Sequence, residues 1–326
     1  MSHLLYISFS NIDIVGECNP VIQSANFVVM PNLTYPKVPR GTVNRYNHRA
    51  TYDLRAIHSI VNSTPVLHVS FTPDPDEPFP AILPMIGALG SFEYPSSDIG
   101  EPLDCYLHGY VSSRIMNLAR EAAKQEGSKG LPVCVAATSV SSSMCLRVTI
   151  CLAGIRANSN IKVDGLVLSL TPNSHSYNYR SAILHGYASL VISDEEKLWA
   201  MELITNSIVP NRWSNSRVPP DKAEMDSTRI LRVQIESGSG KVREGMPSDE
   251  KKDLDRAEVL DKVWTGVVPM WERFGEPIPG PYNKVSEVPE YLKGYVSATN
   301  GQHEQHAVAA ANKSTVPKRA KKADEE

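Results

Sequence analysis

Strand-like segments outnumber helical ones in this chain, and the two kinds do not alternate one for one. PVLHVSF alternates in character, with Val66, His68 and Ser70 opposite Leu67, Val69 and Phe71. PAILPMIGAL, LDCYLHGY, LPVCVAATSV, DGLVLSL, YRSAILHGYASLV and TRILRVQIESGSGKVR also read as strands. Helical spacing appears in ATYDLRAIHSIVNST through Leu54, Ile57, Ile60 and Val61, and in SSRIMNLAREAAKQ through Ile115, Leu118, Ala119 and Ala122. A third helix, SDEEKLWAMELITNSIV, opens on a capping box of Ser193 and Glu196. This irregular order argues against a doubly wound parallel sheet. It predicts an α+β, mainly β protein, an antiparallel barrel or sandwich with peripheral helices. LPVCVAATSV and DGLVLSL are expected to form a hairpin with Asp164-Gly165 at its turn. Pro84 lacks an amide proton, so its strand belongs at an edge, at a bulge, or where the ladder opens toward a ligand.

The common chemistry-bearing motifs are missing from the sequence. No GxGxxG or GxxxxGK[ST] loop occurs, and no GxSxG elbow or HExxH pair, which disfavours hydrolase chemistry. The five cysteines form no CxxC pair, so neither a disulfide framework nor a metal site is expected, and a reducing compartment fits better. A net charge of −3 gives no overall pull toward nucleic acid or membrane. The N-terminus has no basic stretch followed by a long apolar run, and no window reaches the ~18 apolar residues of a membrane span. The expected setting is cytoplasmic, with a candidate nuclear import signal in the basic cluster Lys318-Arg319-Ala320-Lys321-Lys322.

Three regions divide the chain. Residues 1–43 read as an N-terminal extension, 44–296 as the folded domain, and the polar, alanine-rich 297–326 as a disordered tail. Within the domain, residues 141–162 are an atypical insert between CVAATSV and DGLVLSL. The insert is either an extended loop or an intron retained in frame.

The tetrapeptide Leu-His-Gly-Tyr occurs twice, and the residues after each copy separate them. The first strand ends at Gly109-Tyr110, and the chain turns through Ser112-Ser113 directly into a helix whose second residue is Arg114. A cation in a first helical turn opposes the helix dipole, and becomes favourable once an anion joins it. Hydroxyls, free N–H groups and a guanidinium at one helix start suit a phosphate. A surface arginine beside an ordinary capping serine is the plainer reading. Tyr106, His108 and Tyr110 share one strand face beside this position, a surface on which a planar ligand can lie. After the second copy the helix begins Asp194-Glu195-Glu196, which satisfies the dipole and repels phosphate. His185 reads as a packed or surface histidine. Upstream of it, Arg180 and Ser181 point to opposite faces of their strand, Arg180 toward a ligand, a partner chain or a surface ion pair.

From about Asn44 to Tyr282, insert apart, this ordered set of segments resembles the pyridoxamine 5′-phosphate oxidase-like, FMN-binding split β-barrel proteins. Within them it is similar to the nitroimidazole-resistance and flavin-nucleotide-binding branch. The resemblance implies a six-stranded antiparallel split barrel and a homodimer with FMN at the subunit interface. It implies that Ile82, Leu83, Pro84 and Met85 lie along the isoalloxazine, with Leu107 and His108 on the adjoining strand. Ser113 and Arg114 match the family's phosphate clamp, and Arg180 and Ser181 fall in a strand that approaches the cofactor. Trp213, Lys241 and Trp264 fall in later pieces that close the site. No counterpart exists of the arginine- and histidine-containing C-terminal motif with which full pyridoxamine phosphate oxidases grip their substrate, so vitamin B6 oxidation is not expected. The implied activity is hydride transfer between flavin and a small organic substrate, with His108 as candidate proton or hydrogen-bond donor. The alternative is a non-enzymatic flavin or haem carrier on the same barrel.

Overall fold

The computed structural model describes residues 32–137, apart from 75 and 77, and residues 162–314. The strands are β1 (Ala50–Thr51), β2 (Leu67–Phe71), β3 (Ala81–Met85), β4 (Gly87–Gly90), β5 (Asp104–Tyr110), β6 (Leu131–Ala137), β7 (Lys162–Leu168), β8 (Ser176–Leu190), β9 (Thr228–Arg243) and β10 (Gly266–Pro269). The helices are α1 (Leu54–Asn62), α2 (Arg114–Ala122), α3 (Asp194–Ile208), α4 (Lys222–Ser227), α5 (Lys251–Leu254), α6 (Ala257–Leu260) and α7 (Glu290–Asn312).

The strands pair antiparallel in the order β3-β2-β6-β8-β9-β5-β4. β3 and β4 are two halves of one bent strand. Only Ile86 separates them, and its carbonyl still accepts the His108 amide at 2.8 Å. The ends of the order therefore meet, and the sheet closes into a barrel with β3 facing β2 and β4 facing β5. Pro84 sits in β3 opposite His68, and among the described residues β3 has no second partner strand, so the ladder opens where the missing amide is harmless. Leu67, Val69, Leu107, Val135, Leu184 and Leu231 fill the interior with no exposed surface. α1 plugs one side, its N-terminus capped by Asp53 accepting from the Ala56 amide at 2.8 Å and its apolar face of Leu54, Ile57, Ile60 and Val61 buried.

The expected hairpin between β6 and β7 does not form. β6 and β7 lie end to end along the same side of β8, Ala137 opposite Ala182 and Lys162 opposite Arg180. Asp164-Gly165 lies inside the sheet, where Gly165 pairs with Asn178 on one side and Pro269 on the other. Pairing across β8 and β10 overrides a local turn signal. β6 and β7 thus pair with successive stretches of β8; the insert lies outside the described residues except for Lys162. Because Ala137 and Lys162 face residues two apart on β8, one intervening residue completes the ladder. A variant joining Thr138 directly to Lys162 is expected to fold with a melting temperature no lower than the parent, since closing a loop of that length costs on the order of 3 kcal/mol. Thermal unfolding of the two proteins checks this, and loss of cooperative unfolding in the shortened chain would sink it.

Two boundaries also move. The barrel recruits part of the 1–43 extension, for Tyr35 is buried with its hydroxyl 2.6 Å from His58 Nε2. At the other end α7 runs through residues expected to be disordered. Ala307, Ala310 and Ala311 are buried, and the Ala310 carbonyl accepts the Gly245 amide at 2.7 Å. Small side chains let that stripe approach the sheet closely, a docking that a polar average composition hides. The basic cluster at 318–322 lies outside the described residues. Among the described residues no helix is long and apolar enough to cross a membrane.

Candidate functional site

β5 delivers the first LHGY to the start of α2. The Ser113 amide donates to the Tyr110 carbonyl at 3.0 Å, closing the turn, and Ile115 and Met116 bury the helix's inner face. Ser113 occupies the N-cap with extended backbone, yet its hydroxyl makes no capping bond. That Oγ is buried and has no hydrogen-bond partner among the described residues. An unmet hydroxyl costs about 1–3 kcal/mol unless something fills the position. Arg114, the first helical residue, is exposed, and no carboxylate among the described residues pairs with it. The helix start thus presents free amides, an unpartnered hydroxyl and an uncompensated guanidinium together.

Strand parity sorts the remaining expected residues. Ile82 and Pro84 point outward from β3, Ile82 being 60% exposed, while Leu83 packs against the core and Met85 is buried in it. Leu107 is wholly interior and His108 is exposed on the outer face, its amide bonded to Ile86. Enough protein surrounds the imidazole that burial lowers its pKa from the ordinary value, favouring the neutral ring. The Gly109 backbone brings the group together: a Cβ there would lie 2.4 Å from Met116 Cε, 3.4 Å from Met85 Cε and 3.8 Å from Ser113 Oγ. Ile82, Pro84, His108 and Arg114 are exposed, Met85 and the Ser113 hydroxyl both lie close to Gly109, and Leu83 and Leu107 face the interior.

The expected Tyr106–His108–Tyr110 face is divided. Tyr106 is wholly buried beneath α3, where its hydroxyl donates to Glu196 at 2.9 Å and its ring meets Trp199 edge-on at 5.1 Å. Only His108 and Tyr110 reach the surface. Arg180 and Ser181 stand apart from the start of α2, at the β7–β8–β9 edge. Arg180 is held by Asp164 through two hydrogen bonds of 2.9 and 2.8 Å, and Ser181 donates to the Lys241 carbonyl at 3.4 Å. Trp213 follows α3, its amide bonded to Asn206, and Trp264 precedes β10 with 65% of its surface exposed.

The second LHGY lines a concavity that sequence reasoning missed. A cavity of about 320 Å³ lies on the outer face, lined among others by Arg40, Ser70, Cys134, His185, Tyr187 and Glu236. His185 Nδ1 and the hydroxyl of Ser237, the residue opposite it on β9, are both buried without partners among the described residues. Burial and the nearby Arg40 lower the His185 pKa, so this ring too is neutral. Alternation marks Ser70, Cys134 and His185 as outward, but only the β2-β6-β8 order makes them neighbours.

Comparison with known proteins gives a consistent picture of the scaffold. The profile of the Pyridoxamine 5′-phosphate oxidase family matches residues 152–242. No curated protein shows significant similarity to the chain. Among solved structures, the flavocytochrome Anf3 from Azotobacter vinelandii superposes with a TM-score of 0.58 at 23% identity, over 79% of this chain and 97% of its own. An FAD- and heme-binding protein from Mycobacterium smegmatis superposes at 0.55 and 21%, over 76% and 97%. The chain carries the split-barrel fold of the pyridoxamine 5′-phosphate oxidase-like proteins.

Proposed function

We propose that this split barrel binds a flavin, FMN in its simplest form, and serves as an oxidoreductase for a small organic substrate. The single observation that carries the reading is the buried Ser113 hydroxyl beside Arg114 at the start of α2, neither with a partner among the described residues. Ser113, Arg114 and the free amides of that helix would hold the phosphate, the strongest hydrogen bonds there being charge-assisted. Ile82 and Pro84, outward on β3, would support the isoalloxazine along one side, and His108 would stand at its edge. A bound flavin supplies two-electron transfer, and the chemistry is the cofactor's. The chain's own part is to fix the phosphate, orient the ring, and offer in His108 a neutral imidazole that can donate or accept one hydrogen bond.

A homodimer with the cofactor between two copies is part of this reading. Phe79, Ile82 and Ile86 are 76%, 60% and 39% exposed at one side of the barrel, apolar surface that a second copy would cover. The cytoplasm is the proposed setting, Cys105 and Cys134 being free thiols. A second reading, a haem or flavin carrier without catalysis, draws on His185, a neutral imidazole at the cavity on the outer face.

The absorption spectrum of the purified protein separates these readings. Flavin bands that bleach with NADH or NADPH support the oxidoreductase, whereas a Soret band favours the carrier. Arg114→Ala should weaken FMN binding by ten- to a hundredfold, the worth of a charge-assisted hydrogen bond of about 1.5–3 kcal/mol. Flavin fluorescence titration reads the change, and an unaltered affinity would remove Arg114 from the site.

A further inference from the structure

A second group of cations lies elsewhere on the barrel, ahead of and beside β1. Tyr46 has left-handed backbone, φ 55° and ψ 50°, uncommon for an aromatic residue. That conformation and the turn Asn47–Arg49 bring two arginines to one ring. Arg45 Cζ lies 5.1 Å and Arg49 Cζ 4.4 Å from the Tyr46 centroid. β1 pairs with β9 so that Ala50 faces Lys241, and Lys241 Nζ lies 5.9 Å from the same ring. Arg243, two residues further along β9, is 8% exposed and donates to the Asn178 carboxamide. Burial and the neighbouring Arg49 lower the Arg243 pKa, as expected where positive charges crowd without compensation.

Among the described residues, none of Arg45, Arg49, Lys241 and Arg243 pairs with a carboxylate. Nearby acids are engaged by other cations: Glu236 by Arg40 and Lys129, Glu244 by Lys313, and Asp164 by Arg180. An aromatic ring offers each cation only a weak attraction, far less than an anion with several acceptor oxygens. Two guanidinium forks and an ammonium within 6 Å of one ring centroid suit a phosphate, and a compact cluster on a chain of net charge −3 does not form the extended stripe that tracks a nucleic-acid backbone.

We propose that Arg45, Arg49 and Lys241, backed by Arg243, bind the phosphate of a small phosphorylated ligand, as a phosphomonoester or a diphosphate. This site is separate from the start of α2: β9 meets β5 through Thr228–Val233 and meets β1 only at Gly240-Lys241. It therefore stands or falls independently of the flavin reading.

Isothermal titration calorimetry of the full-length protein with inorganic pyrophosphate and with ADP tests it. Pyrophosphate should bind, more weakly as salt rises, and Arg45→Gln should lower the affinity at least ~10-fold. The titrations use an Arg114→Ala background, so that the anion position at the start of α2 contributes nothing, and there Arg49→Gln combined with Lys241→Gln should abolish measurable binding. Arg45 is exposed, so its variant should keep the parent's circular dichroism and melting temperature. ADP matching pyrophosphate would mark a phosphate subsite alone, and ADP binding tighter would mark a nucleotide; either supports the site. Absence of pyrophosphate binding in the parent, or equal affinity in Arg45→Gln, overturns it. So does a short single-stranded oligonucleotide that outcompetes pyrophosphate tenfold.

Discussion

Gly186→Ala should leave the chain unable to form its barrel. A Cβ at this position would lie 2.2 Å from the Gln234 carbonyl oxygen and 2.9 Å from its carbon, both backbone atoms of the neighbouring strand. The register between β8 and β9 shifts at His185/Gly186, and the close approach belongs to that irregularity. These two strands form the longest pairing in the sheet, from Tyr179 opposite Arg243 to Leu190 opposite Leu231. Backbone cannot swing aside as a side-chain end can, so the cost should exceed the ~1–3 kcal/mol usual for an overfilled core. Gly109, in the other copy of the tetrapeptide, supplies the control. Its Cβ would meet Met116 Cε at 2.4 Å, the far end of a flexible side chain. Gly109→Ala should therefore cost about 1–2 kcal/mol and remain folded. Chemical denaturation of both variants checks the contrast, and two equally stable proteins would refute it.

The second large effect is expected at Asp164. This carboxylate is 3% exposed and receives both Nε and Nη2 of Arg180, with His306 Nε2 of α7 3.6 Å from Oδ2. Burial alone would raise its pKa. The partners outweigh burial, His306 and then Arg180, and the net direction is downward from 3.8. A folded pKa below the unfolded value means stability present above the ordinary carboxylate range and lost as pH falls through it. Asp164→Ala strands the Arg180 guanidinium, which is largely buried, at a cost of about 3–5 kcal/mol. The melting temperature should drop by roughly 10 °C. The same change removes a contact to α7, so proteolysis within 290–312 should accelerate. A variant within ~1 kcal/mol of the parent would show that the pair contributes little.

This result bears on what the sequence could disclose. Arg180 reads locally as a cation free to meet a ligand, a partner or a surface acid, and Asp164 reads as a turn residue beside Gly165. The resemblance sets Arg180 in a strand that approaches the cofactor, whereas the structure ties it to Asp164, a partner that only the pairing of β7 with β8 supplies. Tyr106 shows the same limit. Its alternation with His108 was legible, whereas α3 covering it, through Trp199 and Glu196, was not. The start of α2 behaves differently. Ser113 and Arg114 are adjacent in sequence and at one helix end, so their conjunction needs no long-range contact to be seen.

The sequence by itself determined the faces of the strands, the apolar faces of α1 and α2, and the adjacency of Ser113 and Arg114 after the first LHGY. Each follows from side-chain period and backbone geometry within a few residues. Only the tertiary structure decided that β6 and β7 pair with successive stretches of β8, that β3 and β4 are one bent strand closing the barrel, and that Arg45 and Arg49 share a ring with Lys241. Those depend on which strand pairs with which, and strand pairing is set by burial of whole faces and by backbone hydrogen bonds between distant segments. No local pattern encodes the identity of the partner.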